Sequence, residues 1–198
     1  MTTDATDAHP NARTQPPAQA QAQARTHAHA HAHAHAHAPE RLPVHEPRMP
    51  WATVVPDVYK AMAGVEKAVR QGIDPALYEL VKIRASQINK CAVCLDMHSK
   101  EALAAGESVE RIVQLSAWEE SRHFYSAKET AALELTEAVT VLTDGFVPDE
   151  VYERAAAYFE ETELAHLIAA ITLINAWNRF GVTTRTPPGY YAPTSDRK

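Results

Sequence analysis

From Trp51 onward, apolar residues recur at three- and four-residue spacings, a period that predicts helices. Pro56-Asp57 opens a stretch to Gly72. Asp74 reads as the cap of the next helix, with Pro75 at its first position, where a missing N–H costs nothing. That helix carries Leu77, Leu80, Val81, Ile83 and Ile88 on more than one face, which predicts burial. Asn89 reads as the cap of a third helix ending at Gly106, a residue suited to the left-handed position past a helix end. Ser108 begins a short fourth helix. Ser126 and Glu129 form a capping box ahead of a helix over 131–142. Asp144-Gly145 reads as a turn, and Pro148 opens a helix to Phe159. Thr162 reads as the cap of the last helix, which carries Leu164, Leu167, Ile168, Ile171 and Ile174 and ends at Gly181. No alternating strand pattern intervenes. The prediction is an all-α bundle of roughly seven helices with short connections.

Residues 1–50 break the pattern. They hold no glycine and no aromatic residue, so all six glycines and fourteen aromatics fall in 51–198. Leu42 and Val44 are the only Leu, Ile or Val before Trp51. Such a stretch cannot bury enough apolar surface to offset the entropy of ordering it. The expectation is a disordered tail over 1–48, one helical domain over 49–190 and a short C-terminal tail over 191–198. In the tail, His27, His29, His31, His33, His35 and His37 alternate with alanine. A metal-scavenging tract, a purification tag and a repeat expansion all fit that pattern. None of them bears on the domain. Residues 1–48 are expected to be dispensable, the histidines adding only non-specific metal affinity that fades below about pH 6.

The formal charge of −6 belongs to the domain, because Arg13, Arg25, Arg41 and Arg48 cancel Asp4, Asp7, Glu40 and Glu46 in the tail. A mildly acidic domain is a poor partner for nucleic acid or an anionic membrane. The most apolar stretch, Leu164 to Trp177, contains His166 and is too short to span a bilayer. No apolar secretory segment follows the N-terminus, so a cytoplasmic, reducing setting is expected. Two cysteines three residues apart exclude a disulfide scaffold, and in such a setting Cys-x-x-Cys is redox-active or metal-binding.

The chemistry concentrates in Asn89-Lys-Cys91-Ala-Val-Cys94-Leu-Asp-Met-His98. With Asn89 as cap, Cys91 lies in the first helical turn, where unpaired N–H groups and the positive dipole end favour a thiolate. Helical geometry puts the two Cα atoms about 5 Å apart, within reach of a disulfide. His98 follows Cys94 by four residues on the same face, placed to take its proton. Two readings stay open. One is a dithiol redox pair. The other is a zinc module with Cys91, Cys94 and His98 as ligands, though no second Cys or His pair offers the remaining knuckle. His123 and His166 stand alone. Asp96, Trp118, Trp177, Asn175, Asn178 and Arg179 read as surface, packing or capping residues. No phosphate loop and no Gly-x-Ser-x-Gly occurs.

Glu79, Cys91, Cys94 and His98 together reproduce a Glu-x11-Cys-x2-Cys-x3-His pattern. With Gly106 and the late Ile174-Asn-Ala-Trp-Asn-Arg179, the chain from about 50 to 190 resembles the AhpD-like alkylhydroperoxidases of the carboxymuconolactone decarboxylase superfamily. The resemblance implies an AhpD-like helical fold and a homo-oligomer, a trimer or a hexamer. It also implies a peroxidase that reduces small alkyl hydroperoxides with an external dithiol and no cofactor beyond a redox-active Cys91–Cys94 disulfide. Lactone decarboxylase relatives lack the Cys pair. Where other AhpD proteins carry a further histidine between the cysteines, this chain has Val93. On these grounds Cys94, beside His98, is expected to attack peroxide, and Cys91, nearer the helix start and more accessible, to resolve the sulfenic acid. Glu79, a carboxylate among apolar neighbours, is expected to orient the site or relay protons. The rival reading makes it an ion-pair partner for Lys82 or another surface cation.

Overall fold

The computed structural model describes residues 42–193. The expected disorder of residues 1–41, their alternating histidines and the residues beyond 193 lie outside the described residues. Over 44–193 the chain forms one compact unit. Among the described residues there are eight α-helices and no strand. They are α1 (Trp51–Val54), α2 (Pro56–Val69), α3 (Pro75–Ile88), α4 (Ala92–Ala104), α5 (Val109–Gln114), α6 (Ala127–Thr140), α7 (Asp149–Tyr158) and α8 (Glu161–Thr184). The helix beyond the expected seven is α1, four residues too short to show a period. No helix among the described residues is long and apolar enough to cross a membrane.

Local signals set most boundaries. Asp74 accepts from Ala76 and Leu77 N–H, with Pro75 at the first helical position. The Ser126–Glu129 capping box forms in both directions. Thr162 is not a cap. The backbone turns into α8 at Glu160, without a side-chain cap, and the helix continues past Gly181 to Thr184. Helix α3 is central, packing on α4, α6 and α8. Leu80, Val81, Ile83 and Ala85 are fully enclosed, and the helix also buries Glu79, Lys82 and Ser86. One cluster joins Val69, Leu77, Val81, Leu135, Leu167 and Ile171. A second joins Leu80, Ile83, Leu115, Trp118 and Leu133. A third, small one brings Ala85 and Ile174 against Cys91 and Cys94.

The segment before α1 is tied to the end of α8. Arg48 N–H donates to Thr184 O at 2.7 Å and its Nη1 to Thr183 O at 3.1 Å. His45 Nε2 lies 3.2 Å from Arg185 O. These groups satisfy carbonyls that a helix end leaves open. Deleting residues 1–43 should therefore leave the thermal midpoint unchanged. Deleting 1–48, which composition alone made dispensable, should instead cost ~1–2 kcal/mol for the lost hydrogen bonds. Paired melting curves check this.

Candidate active site

Helix α3 ends and α4 begins on one residue. Lys90 takes a left-handed conformation (φ 55°) and donates N–H to Gln87 O at 3.2 Å. Cys91 N–H donates to Ser86 O at 3.0 Å, and the two bonds make a Schellman ending for α3. The Cys91 carbonyl in turn accepts Leu95 N–H at 2.9 Å, so Cys91 is the N-cap of α4. Asn89, expected in that role, belongs to the end of α3. Its amide reaches Ala85 O, Asn175 Oδ1 and Asn178 Oδ1 instead. Cys91 thus sits one step outside the first turn of α4, and Cys94 sits within it.

Cys91 and Cys94 form a disulfide, with Cα atoms 5.4 Å apart. Cys91 is 0% exposed and Cys94 4%, so the expectation of a more accessible Cys91 fails. The reason lies on α8. A Cβ placed on Gly181 would stand 2.8 Å from Cys91 Sγ, 3.0 Å from Val93 Cγ1 and 3.6 Å from Cys94 Sγ. Only glycine lets that helix lie flush on the sulfurs, with Trp177 packed beside them.

His98 shares the buried face of α4 with Cys94, one turn on. Its Nδ1 donates to Glu79 Oε2 at 2.8 Å, and both side chains are about 95% enclosed or more. Arg70 stands 3.8 Å from the other Glu79 oxygen. Glu79 is therefore the partner of a buried imidazole and, more loosely, of the surface cation Arg70, not of Lys82. Among the described residues His98 Nε2 has no hydrogen-bond partner. Burial, then the charge of Lys82, push the imidazole below its ordinary range, against the pull of Glu79 and Glu66. With Nδ1–H committed to a carboxylate, Nε2 keeps a lone pair and can act as a base.

That depressed value has a consequence for stability. The unfolded chain binds the His98 proton more readily than the folded one. The contribution is therefore complete above the unfolded value of 6.5 and is lost as pH falls from there toward the lowered folded value. Melting of the oxidised protein should weaken by up to about 1.4 kcal/mol per pH unit in that window. His98→Gln should flatten the slope there, which melting between pH 5 and 7.5 checks.

A second charged group, half-buried, lies alongside. Glu66 of α2 pairs with Lys82 of α3. It also accepts Tyr78 OH at 2.5 Å and Trp177 Nε1 at 3.1 Å. Sequence reasoning missed Glu66, Tyr78 and Gly181. The one available signal was a lysine inside the apolar run Leu80-Val81-Lys82-Ile83. The remaining candidates lie apart from the sulfurs. Asp96 is less solvated than expected, pairing with Lys100 and accepting Gly189 N–H. His166 reaches Val69 O, and His123 is exposed on a single turn. Trp118 is a core residue whose Nε1 donates to Glu137. Asn175 and Arg179 line an open cleft of about 690 Å³ that neither cysteine, Glu79 nor His98 borders. Asn178 donates to Ser86 Oγ behind the disulfide.

No three His, Cys, Asp or Glu side chains among the described residues are grouped to hold a metal ion. Comparison with known proteins gives the family. Residues 56–138 match the carboxymuconolactone decarboxylase family. The uncharacterised protein YdfG of Bacillus subtilis is 41% identical over 136 residues, covering 68% of this chain and 92% of YdfG. The uncharacterised YnjA of Escherichia coli is 33% identical over 118 residues, covering 60% of this chain and 64% of YnjA. A crystal structure from Agrobacterium tumefaciens superposes with a TM-score of 0.71 at 35% identity, over 74% of this chain and all of that one. That protein is of unknown function, with AhpD-type antioxidant defence as its suggested role. The apo debrominase Bmp8, at 19% identity and TM-score 0.60 over 70% of this chain and 74% of its own, shares the fold. With a Cys-x-x-Cys disulfide one helical turn from a His–Glu pair on this helical frame, the chain belongs to the AhpD-like carboxymuconolactone decarboxylase superfamily.

Proposed function

We propose that this chain is a thiol peroxidase and disulfide oxidoreductase. It reduces small alkyl hydroperoxides through a Cys91–Cys94 dithiol–disulfide cycle, with an external dithiol as reductant and no bound cofactor. One observation carries the reading: the buried Cys pair shares the face of α4 with a buried imidazole one turn on, anchored by Glu79 and with its second nitrogen unpartnered. In the reduced state Cys94 stands in the first turn of α4, where open N–H groups favour a thiolate, and His98 is one turn away. The Cys94 thiolate attacks the peroxide oxygen. The O–O bond breaks, Cys94 becomes a sulfenic acid, and the departing alkoxide takes a proton relayed by His98. The Cys91 sulfur then displaces water from that sulfenic acid and closes the disulfide. The external dithiol restores both thiols by exchange. Glu79 holds His98 in the tautomer that leaves Nε2 free. Because both sulfurs are enclosed, the donor meets them only through local opening of their cover.

The membership of the chain and the AhpD-type role suggested for its Agrobacterium relative support this reading. Peroxide consumption by full-length, chelator-treated protein with several dithiol donors in parallel tests it. Turnover with loss of both free thiols is expected. Stoichiometric zinc that protects both thiols from alkylation would overturn it in favour of a metal module.

We also propose a homo-oligomer, a trimer or a hexamer. Val55, Val58, Met62 and Val65 recur at steps of three, four and three along α2 and its cap. Val55, Val58 and Val65 are 40%, 45% and 50% exposed. An apolar stripe of this kind is the pattern one helix presents to another. Sedimentation at micromolar concentration should give a multiple of the chain mass, and a single-chain mass would reject the assembly.

A further inference from the structure

The peroxide cycle leaves one charge pair, a buried Lys82 with a half-buried Glu66, without a task. Lys82, 2% exposed, sits three residues after Glu79 on α3 and pairs with Glu66 of α2. Its Nζ is also 3.3 Å from Tyr78 Oη and 4.5 Å from the centre of the Tyr78 ring. Glu66 accepts from Lys82, from Tyr78 and from the indole of Trp177, the residue that packs on the sulfur cluster. A carboxylate taking three donors carries no proton. Burial alone would raise its pKa, but the Lys82 charge and these bonds hold it below the ordinary range. Burial pushes the Lys82 ammonium down, and Glu66 opposes that push.

Stability does not account for this pair. An ion pair whose cation is buried is commonly no better than well-packed apolar residues of the same size, and α3 is apolar on either side of Lys82. Its placement offers another account. The charged groups acting on His98 are Glu79 and Lys82 from α3 and Glu66 from α2, with Arg70 behind Glu79. Lys82 stands on α3 three residues before Ala85, which packs against both cysteines, so the cation shares that helix face with the wall of the site. With the disulfide closed, the sulfurs carry no charge. Opening it adds a negative charge among Ala85, Ile174 and Trp177.

We propose that Lys82 is the fixed cation of this site. It is a positioning residue, held by Glu66, that favours thiolate over thiol at Cys94 in the open state and so makes the disulfide easier to reduce. The inference rests on the redox reading of the Cys pair. With glutathione as reductant, the disulfide and two glutathione thiols give glutathione disulfide, Cys91 thiol, Cys94 thiolate and one proton. Stabilising the thiolate stabilises the reduced side of that balance, as in strongly oxidising Cys-x-x-Cys proteins. Lys82 and His98 have separate duties: Lys82 holds charge, and His98 moves a proton.

The test compares full-length wild type, the double variant Glu66→Gln/Lys82→Met and His98→Gln. Two readouts that need no peroxidase activity are taken. One is the pH dependence of Cys94 alkylation by iodoacetamide. The other is the dithiol–disulfide equilibrium in glutathione buffers. Wild type should alkylate with an apparent pKa below the ordinary thiol value of about 8.5. The double variant should need a pH about one unit higher and shift the glutathione equilibrium roughly tenfold toward disulfide. His98→Gln should keep most of the wild-type alkylation profile. An unchanged double variant overturns the proposal. So does a His98→Gln protein whose thiol returns to the ordinary value, and that arm decides the matter alone if the double variant does not fold. Failure of peroxide turnover with both readouts as expected would instead count against the peroxidase reading.

Discussion

Cys94→Ser should consume no peroxide, and its Cys91 should stay reduced under a dose that fully oxidises wild type. Cys91→Ser should react once, leaving a trappable sulfenic acid on Cys94, and then stop. The asymmetry comes from placement. Cys91 lies nearer the helix end, which by dipole alone would favour it as the attacking thiolate. Peroxide cleavage also needs a proton for the leaving alkoxide, and only Cys94 has an imidazole one turn away. Cys91, an N-cap that also closes α3, lies fully enclosed beneath α8. That place suits a resolving partner better than a first responder. His98→Ala should slow the first step by ~10²-fold or more while sparing the dithiol step. Mass spectrometry of both Cys variants after a brief peroxide pulse decides the assignment. Sulfenic acid accumulating on Cys91 and not on Cys94 would reverse it.

Gly181→Ala should oppose the oxidised state specifically. Glycine inside a helix is ordinarily unfavourable by ~0.5–1 kcal/mol relative to alanine, so propensity alone predicts a more stable protein. The added Cβ, however, would meet Cys91 Sγ at 2.8 Å and Val93 Cγ1 at 3.0 Å. A sulfur held in a disulfide cannot swing aside, whereas a free thiol can turn about its own side-chain bond. Overpacking of this kind costs ~1–3 kcal/mol. It should fall on the disulfide form and move the glutathione equilibrium roughly 5- to 150-fold toward dithiol. The reduced variant should melt at or above the wild-type temperature and the oxidised variant below it. Equal shifts in both states would show that Gly181 matters only for helix packing.

The parts of this molecule that were legible in its sequence are those written in short-range code. Asp74-Pro75 and Ser126 with Glu129 announce their helices because a cap is a local hydrogen bond. Cys91, Cys94 and His98 announce a site because one helix face collects them. Glu79 stood out as a charge on an apolar helix, though its choice of His98 over Lys82 depended on how α3 and α4 pack. Glu66 and Gly181 gave no such sign. Gly181 reaches the sulfurs from α8, and Glu66 reaches Trp177 beside them from α2, through contacts that no spacing encodes. Helix α1 escaped for the same reason: Trp51 is fixed by stacking on Phe180 at 3.9 Å, a contact from the far end of the chain. The misplaced cap at Asn89 has a different origin. Asn is a common N-cap, and only the left-handed turn at Lys90 moves that duty to Cys91.

That turn gives the twelve-residue step from Glu79 to Cys91 the character of a gauge length. Because Cys91 closes one helix and opens the next, no slack loop lies between Glu79 and the imidazole it holds. One residue inserted into α3 after Glu79 would turn the carboxylate by about 100° around the helix and move it 1.5 Å along the axis. One inserted at the junction would break the bonds that join the two helices. Length variation in relatives that keep this chemistry therefore belongs elsewhere, in the turns around Gly106 and Gly145 or outside the bundle. The spacing of the motif is a dimension of the scaffold, set by the distance between an acid on one rod and a base on the next.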